Sequence, residues 1–149
     1  MVSLKELQMP RPRLAHVGIL VRDIAAATPQ WELLGCRPVS ALVQDPSQQA
    51  MLQMFRSDSG YLELIAPAGE DSHVNSLLRR RGEGPAHLCF ECDDLDVELV
   101  RLRSKGVLPF RPPTPAVLFG GKRVAFAMFP GRMIVEFVEP GWQMSLQQS

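Results

Sequence analysis

Hydrophobic and polar residues alternate along most of this chain, which predicts a protein rich in β-strands. In the first half, the pattern predicts a strand (14–21), a helix (23–34) and three further strands (36–44, 51–56 and 61–66). The second half has the same order, in the segments 86–92, 94–105, 107–111, 123–129 and 133–138. The order of strand, helix and three strands therefore occurs twice.

The two predicted helices differ in their end signals. In the second helix, Asp93 or Asp94 can cap the first turn, and Gly106 provides the left-handed residue that ends the helix. In the first helix, Pro29 lacks a backbone donor. We therefore expect a kink at Pro29, or a new helix start with Thr28 as its cap.

A chain of 149 residues with 46% hydrophobic content suits one compact domain. We predict three consecutive regions, an N-terminal arm, a single domain and a polar C-terminal tail, at 1–13, 14–140 and 141–149. The domain divides into module one, a connector and module two, at 14–66, 67–85 and 86–140. The connector contains a short helix near 73–80, and we interpret its basic run, Arg79–Arg81, as solvated rather than as a phosphate site.

Two histidines and two glutamates occupy matching places in the repeat. His16 and His87 open equivalent strands 71 residues apart. Glu63 and Glu136 lie in the last strand of each module, two residues farther apart than the histidines. A duplicated module with one histidine near its start and one glutamate near its end can build a site with four convergent ligands.

Strand alternation places these four side chains on one face of the sheet. In each strand the neighbours of the histidine or glutamate are hydrophobic and point toward the face that a helix covers. A buried carboxylate is costly unless a cation compensates it. Two neutral imidazoles and two carboxylates around a divalent ion have no net formal charge, so the pattern favours a metal site.

Composition excludes several other classes of function. Sixteen basic and sixteen acidic residues cancel, which disfavours a nucleic-acid partner. We find no signal peptide and no run of about 18 hydrophobic residues, so we expect a cytoplasmic protein that does not bind membranes. Cys89 and Cys92 form a CxxC within a predicted strand, where their side chains point to opposite faces, so a redox or zinc pair is disfavoured.

Several segments resemble the vicinal oxygen chelate superfamily, also known as the glyoxalase, bleomycin resistance and dioxygenase superfamily. The resemblance extends from about residue 13 to residue 140 and is carried by HVGILV, LGCRPV, HLCFECDDLD, KGVLPF, GGKRVAFAMFPG and MIVEFVE. Within the superfamily, YLELIAPAGEDSHVNSLL and GPAHLCFECDDLD are most similar to methylmalonyl-CoA epimerases, followed by glyoxalase I. The implied fold class is α+β, with two tandem βαβββ modules that form a curved sheet around a metal.

The resemblance also implies the residues of the site. The metal ligands map onto His16, Glu63, His87 and Glu136, and Glu136 is expected to transfer protons as well. One divalent cation is implied, and cobalt, nickel, manganese, zinc and iron all suit such ligands. Gln53 and Arg123 are additional candidates for contacts with substrate.

The activity implied is that of an isomerase or epimerase that abstracts an α-proton and stabilises the resulting enolate on the metal. An acyl-CoA or related thioester is the expected small-molecule substrate. Two departures leave the substrate open, because Gln53 stands where some epimerases carry glutamate and Ala86 where they commonly carry histidine.

Three alternative functions remain. They are a glyoxalase I-like lactoylglutathione lyase, a metal-free protein that binds a small molecule such as an antibiotic, and a ring-cleaving dioxygenase. The sequence also leaves open whether the site closes within one chain or across a homodimer. Trp142, Met144 and Leu146 can form a partner surface, but we interpret them as part of a frayed tail.

Overall fold

The computed structural model describes residues 1, 4 and 11–146, so most of the predicted N-terminal arm lies outside the described residues. Module one contains β1 (Arg13–Leu20), α1 (Ile24–Leu33), β2 (Arg37–Pro38), β3 (Val43–Asp45), β4 (Ala50–Arg56) and β5 (Tyr61–Pro67). The connector contains α2 (His73–Arg81). Module two contains β6 (Gly84–Glu91), α3 (Leu95–Ser104), β7 (Thr114–Pro115), β8 (Arg123–Phe129) and β9 (Met133–Val138).

Within the described residues, nine strands form one curled sheet in the order β2-β4-β5-β1-β6-β9-β8-β7, with β3 paired to β4. The first strand of each module lies parallel to the last strand of the same module, β1 beside β5 and β6 beside β9. The two first strands meet antiparallel at the centre. The predicted α+β fold of two βαβββ modules is therefore confirmed.

The two faces of the sheet pack against different parts of the chain. On the outer face, α1 covers a hydrophobic cluster that contains Ile24, and α3 covers another that contains Leu99. On the inner face, α2, the loop at 116–119 and the segment after β9 pack against Leu20, Met54 and Val138. No helix in the described part of the chain has the length and apolar character needed to cross a lipid bilayer.

Helix α1 continues past Pro29, so the predicted new start at Thr28 is wrong. Asp23 is the N-cap, and its carboxylate accepts a hydrogen bond from the backbone N–H of Ala26 at 2.8 Å. The Thr28 hydroxyl donates to the carbonyl oxygen of Ile24 at 2.8 Å, so it lies within the helix instead of capping one.

Two predicted strands differ in the structure. The segment 36–44 contains two short strands, β2 and β3, instead of one. The segment 107–111 forms only a single bridge, between Pro109 and Ala127. Because proline cannot donate to a strand ladder, Pro109, Pro112 and Pro113 explain why this segment does not extend as a strand.

The segment after β9 packs on the inner face, so the predicted frayed tail is wrong where the structure describes it. Trp142 is completely buried and Leu146 is 8% exposed, whereas Met144 is exposed. The Trp142 ring contacts the rings of Tyr61 and Phe119, with centroids 4.9 Å and 5.6 Å away. This part of the chain closes one side of the inner core.

Candidate metal centre

The four predicted ligand residues come from four neighbouring strands, in the order Glu63 on β5, His16 on β1, His87 on β6 and Glu136 on β9. Each contributes one ligand atom, and these atoms all lie within 4.8 Å of one another. The structure therefore brings all four together on the inner face.

Strand register explains this grouping. Gly18 pairs with Glu63 on one side and with His87 on the other, so these three residues form one row across the sheet. Cys89 pairs with His16 and with Glu136 in the next row. Because side chains opposite each other in paired strands share a face, both rows point inward.

The contacts within the group are short. The Oε1 atom of Glu136 lies 3.0 Å from Nε2 of His16 and 3.4 Å from Nε2 of His87. The Oε1 atom of Glu63 lies 3.9 Å and 3.7 Å from the same two nitrogens. The two imidazole nitrogens are 3.4 Å apart.

These residues fit a divalent cation. They are almost completely buried, with exposed fractions of 1% for His16, 4% for Glu63, 8% for His87 and 2% for Glu136. Oε1 of Glu136 has no hydrogen-bond partner among the described residues. Ligand atoms that share one ion at bond lengths of about 2.0–2.2 Å lie about 3–4.4 Å apart. The distances of the two histidine nitrogens from each other and from the two carboxylate oxygens fall in that range.

Burial and mutual charge shift the pKa values of three of these residues. Burial raises the pKa of Glu63, and the nearby charge of Glu136 adds to this effect. Burial opposes the charged forms of Glu136 and His87, but other interactions outweigh it. The nearby imidazoles of the two histidines lower the pKa of Glu136 well below its usual value, and the nearby Glu136 carboxylate raises the pKa of His87.

We expect the affinity of this centre for a divalent ion to rise with pH and to go on rising above pH 6.5, the ordinary pKa of histidine. Both raised pKa values mean that Glu63 and His87 keep their protons to a higher pH than the free residues do. At a pH below these pKa values, a metal ion must displace the protons in order to bind. At a pH above them, Glu63 and His87 are already deprotonated, so protons no longer compete with the metal ion. Titration with cobalt at several pH values measures the effect, which is about ten-fold per pH unit for each proton displaced.

The exposed His73 provides the control for this experiment. Substitution His73→Gln is expected to leave the pH dependence unchanged, because His73 lies outside the group. An affinity that stays constant from about pH 6 to about pH 8 would contradict the prediction.

Aromatic rings and one thiol surround the centre. The His16 ring contacts Trp142 and Phe119, with centroids 5.5 Å and 5.7 Å away. Burial and then the charge of Glu136 raise the pKa of the Cys89 thiol well above its usual value. Cys92 belongs to the outer cluster under α3, so the two cysteines of the CxxC lie on opposite faces, as predicted.

Gln53 and Arg123, the predicted substrate contacts, lie elsewhere. Gln53 pairs with Leu64, an outer-face residue next to Glu63, and its side-chain amide donates to the carbonyl oxygen of Ser40 at 3.1 Å. Arg123 donates to Asp96 on α3 at 2.8 Å and to Glu139 at 3.2 Å. The structure therefore does not bring either side chain to the centre, because both make contacts away from it.

A cavity of about 360 Å³ opens beside His87. Its wall is largely hydrophobic and includes Leu20, Ile65, Phe126 and Ile134. Polar groups from Ser47, Gln48, His73 and Arg111 also line it. We call this space the apolar chamber. It has the size and lining to hold the reacting part of a small substrate.

Sequence analysis missed Asp45 and Gly18. Asp45 is an inner-face carboxylate that is 1% exposed, and it accepts hydrogen bonds from Ser47 and Gln48, which line the apolar chamber. The residues DPS at 45–47 are typical of a turn, but that signal does not reveal burial. The sequence does contain a signal for Gly18. The 71-residue offset of the repeat makes it equivalent to Cys89, which lies two residues after His87 just as Gly18 lies two residues after His16.

Comparisons with known proteins agree with the fold. Residues 15–126 match the model of the glyoxalase/bleomycin resistance protein/dioxygenase superfamily. An uncharacterized protein of Bacillus subtilis is 34% identical over 134 residues, which cover 86% of this chain and 92% of that protein. An ethylmalonyl-CoA/methylmalonyl-CoA epimerase of Cereibacter sphaeroides is 29% identical over 76% of this chain and 86% of its own length.

A solved structure is also similar. The crystal structure of methylmalonyl-CoA epimerase from Mycobacterium tuberculosis superposes with a TM-score of 0.77. The two sequences are 29% identical, and the match covers 87% of this chain and 88% of that one.

Proposed function

Since the chain belongs to the glyoxalase/bleomycin resistance protein/dioxygenase superfamily, we propose that it is a divalent-metal-dependent isomerase that removes and returns the α-proton of an acyl thioester. The observation that carries the proposal is the convergence of four buried donor atoms within 4.8 Å. An acyl-CoA is the proposed substrate because relatives over most of this chain are named as epimerases of such compounds.

The four residues His16, Glu63, His87 and Glu136 would hold the cation in this proposal. When bound, the cation would stabilise the negative charge that develops on the thioester oxygen as the neighbouring carbon loses its proton. The two imidazoles must be neutral to bind it, and the two carboxylates compensate its charge.

Glu136 is the proposed proton acceptor. The nearby imidazoles of His16 and His87 keep the pKa of Glu136 low, so its carboxylate is ionised at neutral pH. The same contacts fix its orientation, with Oε1 at 3.0 Å from Nε2 of His16. Glu136 can return the proton that it takes up to the same carbon, and while Glu136 holds that proton it can exchange with solvent through the cavity that opens beside His87.

The apolar chamber supports an acyl substituent as the reacting part of the substrate. Leu20, Phe126 and Ile134 offer it hydrophobic contacts next to His87. Burying a methyl or ethyl branch there is favourable by about 0.8 kcal/mol for each carbon. A 2-substituted acyl-CoA therefore matches the space beside the centre.

A lactoylglutathione lyase is the second candidate, favoured by the donor set itself. Two histidines and two carboxylates on the inner face also suit proton transfer on a hemithioacetal, which presents two neighbouring oxygens to a metal. A metal-free binding protein would not need four convergent ligands. A dioxygenase, which typically uses two histidines and one carboxylate, would leave one of the glutamates without a role.

Deuterium exchange at the α-carbon tests the proposal. We expect the metal-loaded protein in deuterated water to exchange the α-proton of 2-substituted acyl-CoAs, and a chelator to abolish this exchange. Nuclear magnetic resonance of the substrate measures it. Turnover of glutathione hemithioacetals alone would favour the lyase, and oxygen consumption with catechols would favour the dioxygenase.

A further inference from the structure

A second cavity, of about 540 Å³, also borders His87. It shares Ala86 and His87 with the apolar chamber. Two arginines, Arg81 and Arg132, contribute to its lining. We call this cavity the basic groove. His87 therefore lines both the hydrophobic apolar chamber and the cationic basic groove.

Arg81 is held in place by the backbone around the groove. Its guanidinium donates to the carbonyl oxygen of Ala86 at 3.3 Å and to the carbonyl oxygen of Arg132 at 3.0 Å. These bonds connect the end of α2 to the start of β6 and to the turn between β8 and β9. A guanidinium has five N–H donors, so others remain for a ligand. The sequence suggested that Arg81 is simply solvated. These two bonds show that its guanidinium is also held by the protein backbone.

Neither arginine of the groove is neutralised by a carboxylate. The described residues form arginine ion pairs only at Arg13, Arg22, Arg101 and Arg123. The carboxylates of Glu63 and Glu136 point into the metal centre instead. The groove therefore keeps an uncompensated positive charge beside His87.

We propose that the basic groove binds the phosphate groups of an acyl-CoA while its acyl part occupies the apolar chamber. This inference rests on the proposed function and adds the residues that recognise the substrate's tail. Guanidinium groups bind phosphate oxygens through charge-assisted hydrogen bonds, often two at a time. Both cavities are lined by Ala86 and His87, so they lie next to each other, and one extended molecule would occupy both in this proposal.

The test compares the binding of coenzyme A and pantetheine, which lacks the phosphates. Calorimetry should show that Arg81→Gln and Arg132→Asn each weaken coenzyme A binding about ten-fold while pantetheine binding is unchanged. Asparagine suits position 132 because its φ of 58° is left-handed. The control is Arg103→Ala, since Arg103 lies in the last turn of α3 as Arg81 does in α2.

Coenzyme A affinity within two-fold of wild type in both arginine variants would overturn the groove assignment. Equal weakening of pantetheine would do the same, because it would show a loss independent of phosphate. In either case, persistent α-proton exchange with acyl-CoA would leave the proposed function intact. Failure of the wild-type protein to exchange any acyl-CoA would instead refute the function itself.

Discussion

Replacing Glu136 with glutamine is expected to slow α-proton exchange by about 10²–10⁴-fold and to weaken metal binding. The amide has nearly the same size, but it cannot accept a proton as a base and carries no charge. Oε1 of Glu136 lies 3.0 Å and 3.4 Å from the two histidine nitrogens, so both lose their anionic partner. Exchange rates and metal content after purification measure the two effects.

Glu139→Gln is the matched control. Glu139 follows β9 and pairs with Arg123 at 3.2 Å, away from the inner face. Its substitution should leave exchange within about two-fold of wild type, as for a surface change. If Glu136→Gln retained more than a tenth of the wild-type rate, another group would have to accept the proton.

The grouping of the four donor residues was predictable because two simple rules act together. The repeat places a histidine in the first strand and a glutamate in the last strand of each module. Strand alternation then assigns all four to one face. Sequence alone did not establish that β5, β1, β6 and β9 are neighbours, because strand order depends on long-range pairing.

The errors arise where packing across the sheet outweighs local pattern. Trp142 lies in a segment rich in polar residues, yet it is buried against Tyr61 and His16. The inner surface that receives it exists only after the sheet has curled. The strand expected at 107–111 failed for a different reason, because Pro109 and Pro112 remove the donors that a ladder needs.

Gln53 shows how sensitive a site assignment is to register. Gln53 pairs with Leu64, whereas its neighbour Met54 pairs with Glu63. A shift of one residue along a strand moves a side chain to the opposite face. The substrate contact that the family resemblance implied at Gln53 therefore lies on the outer face.

The two rows of the centre need small residues between their ligands. Gly18 lies between Glu63 and His87, and Cys89 lies between His16 and Glu136. The His87 ring extends over Gly18 itself. A Cβ atom built on Gly18 would lie 2.1 Å from Cε1 of His87, far inside van der Waals contact. The absence of a side chain at position 18 thus determines where His87 can lie.

Substitution Gly18→Ala is therefore expected to displace His87 and to weaken metal binding by about 10–100-fold, as found for residues that orient metal ligands. Overpacking a buried site should also lower the free energy of unfolding by about 1–3 kcal/mol. Cobalt titration and thermal unfolding measure the two effects. The loss of affinity should exceed what the loss of stability explains, because the folded protein itself would hold His87 away from the other ligands.

Gly60→Ala separates this specific effect from the general cost of replacing glycine. Gly60 lies in the turn between β4 and β5, and a Cβ atom there would meet no other atom within 4 Å. Its substitution should leave metal affinity unchanged. If Gly18→Ala bound cobalt as tightly as Gly60→Ala does, the position of His87 would not depend on the space above Gly18. Strong, selective weakening would instead make Gly18 the residue that positions one ligand from the neighbouring module.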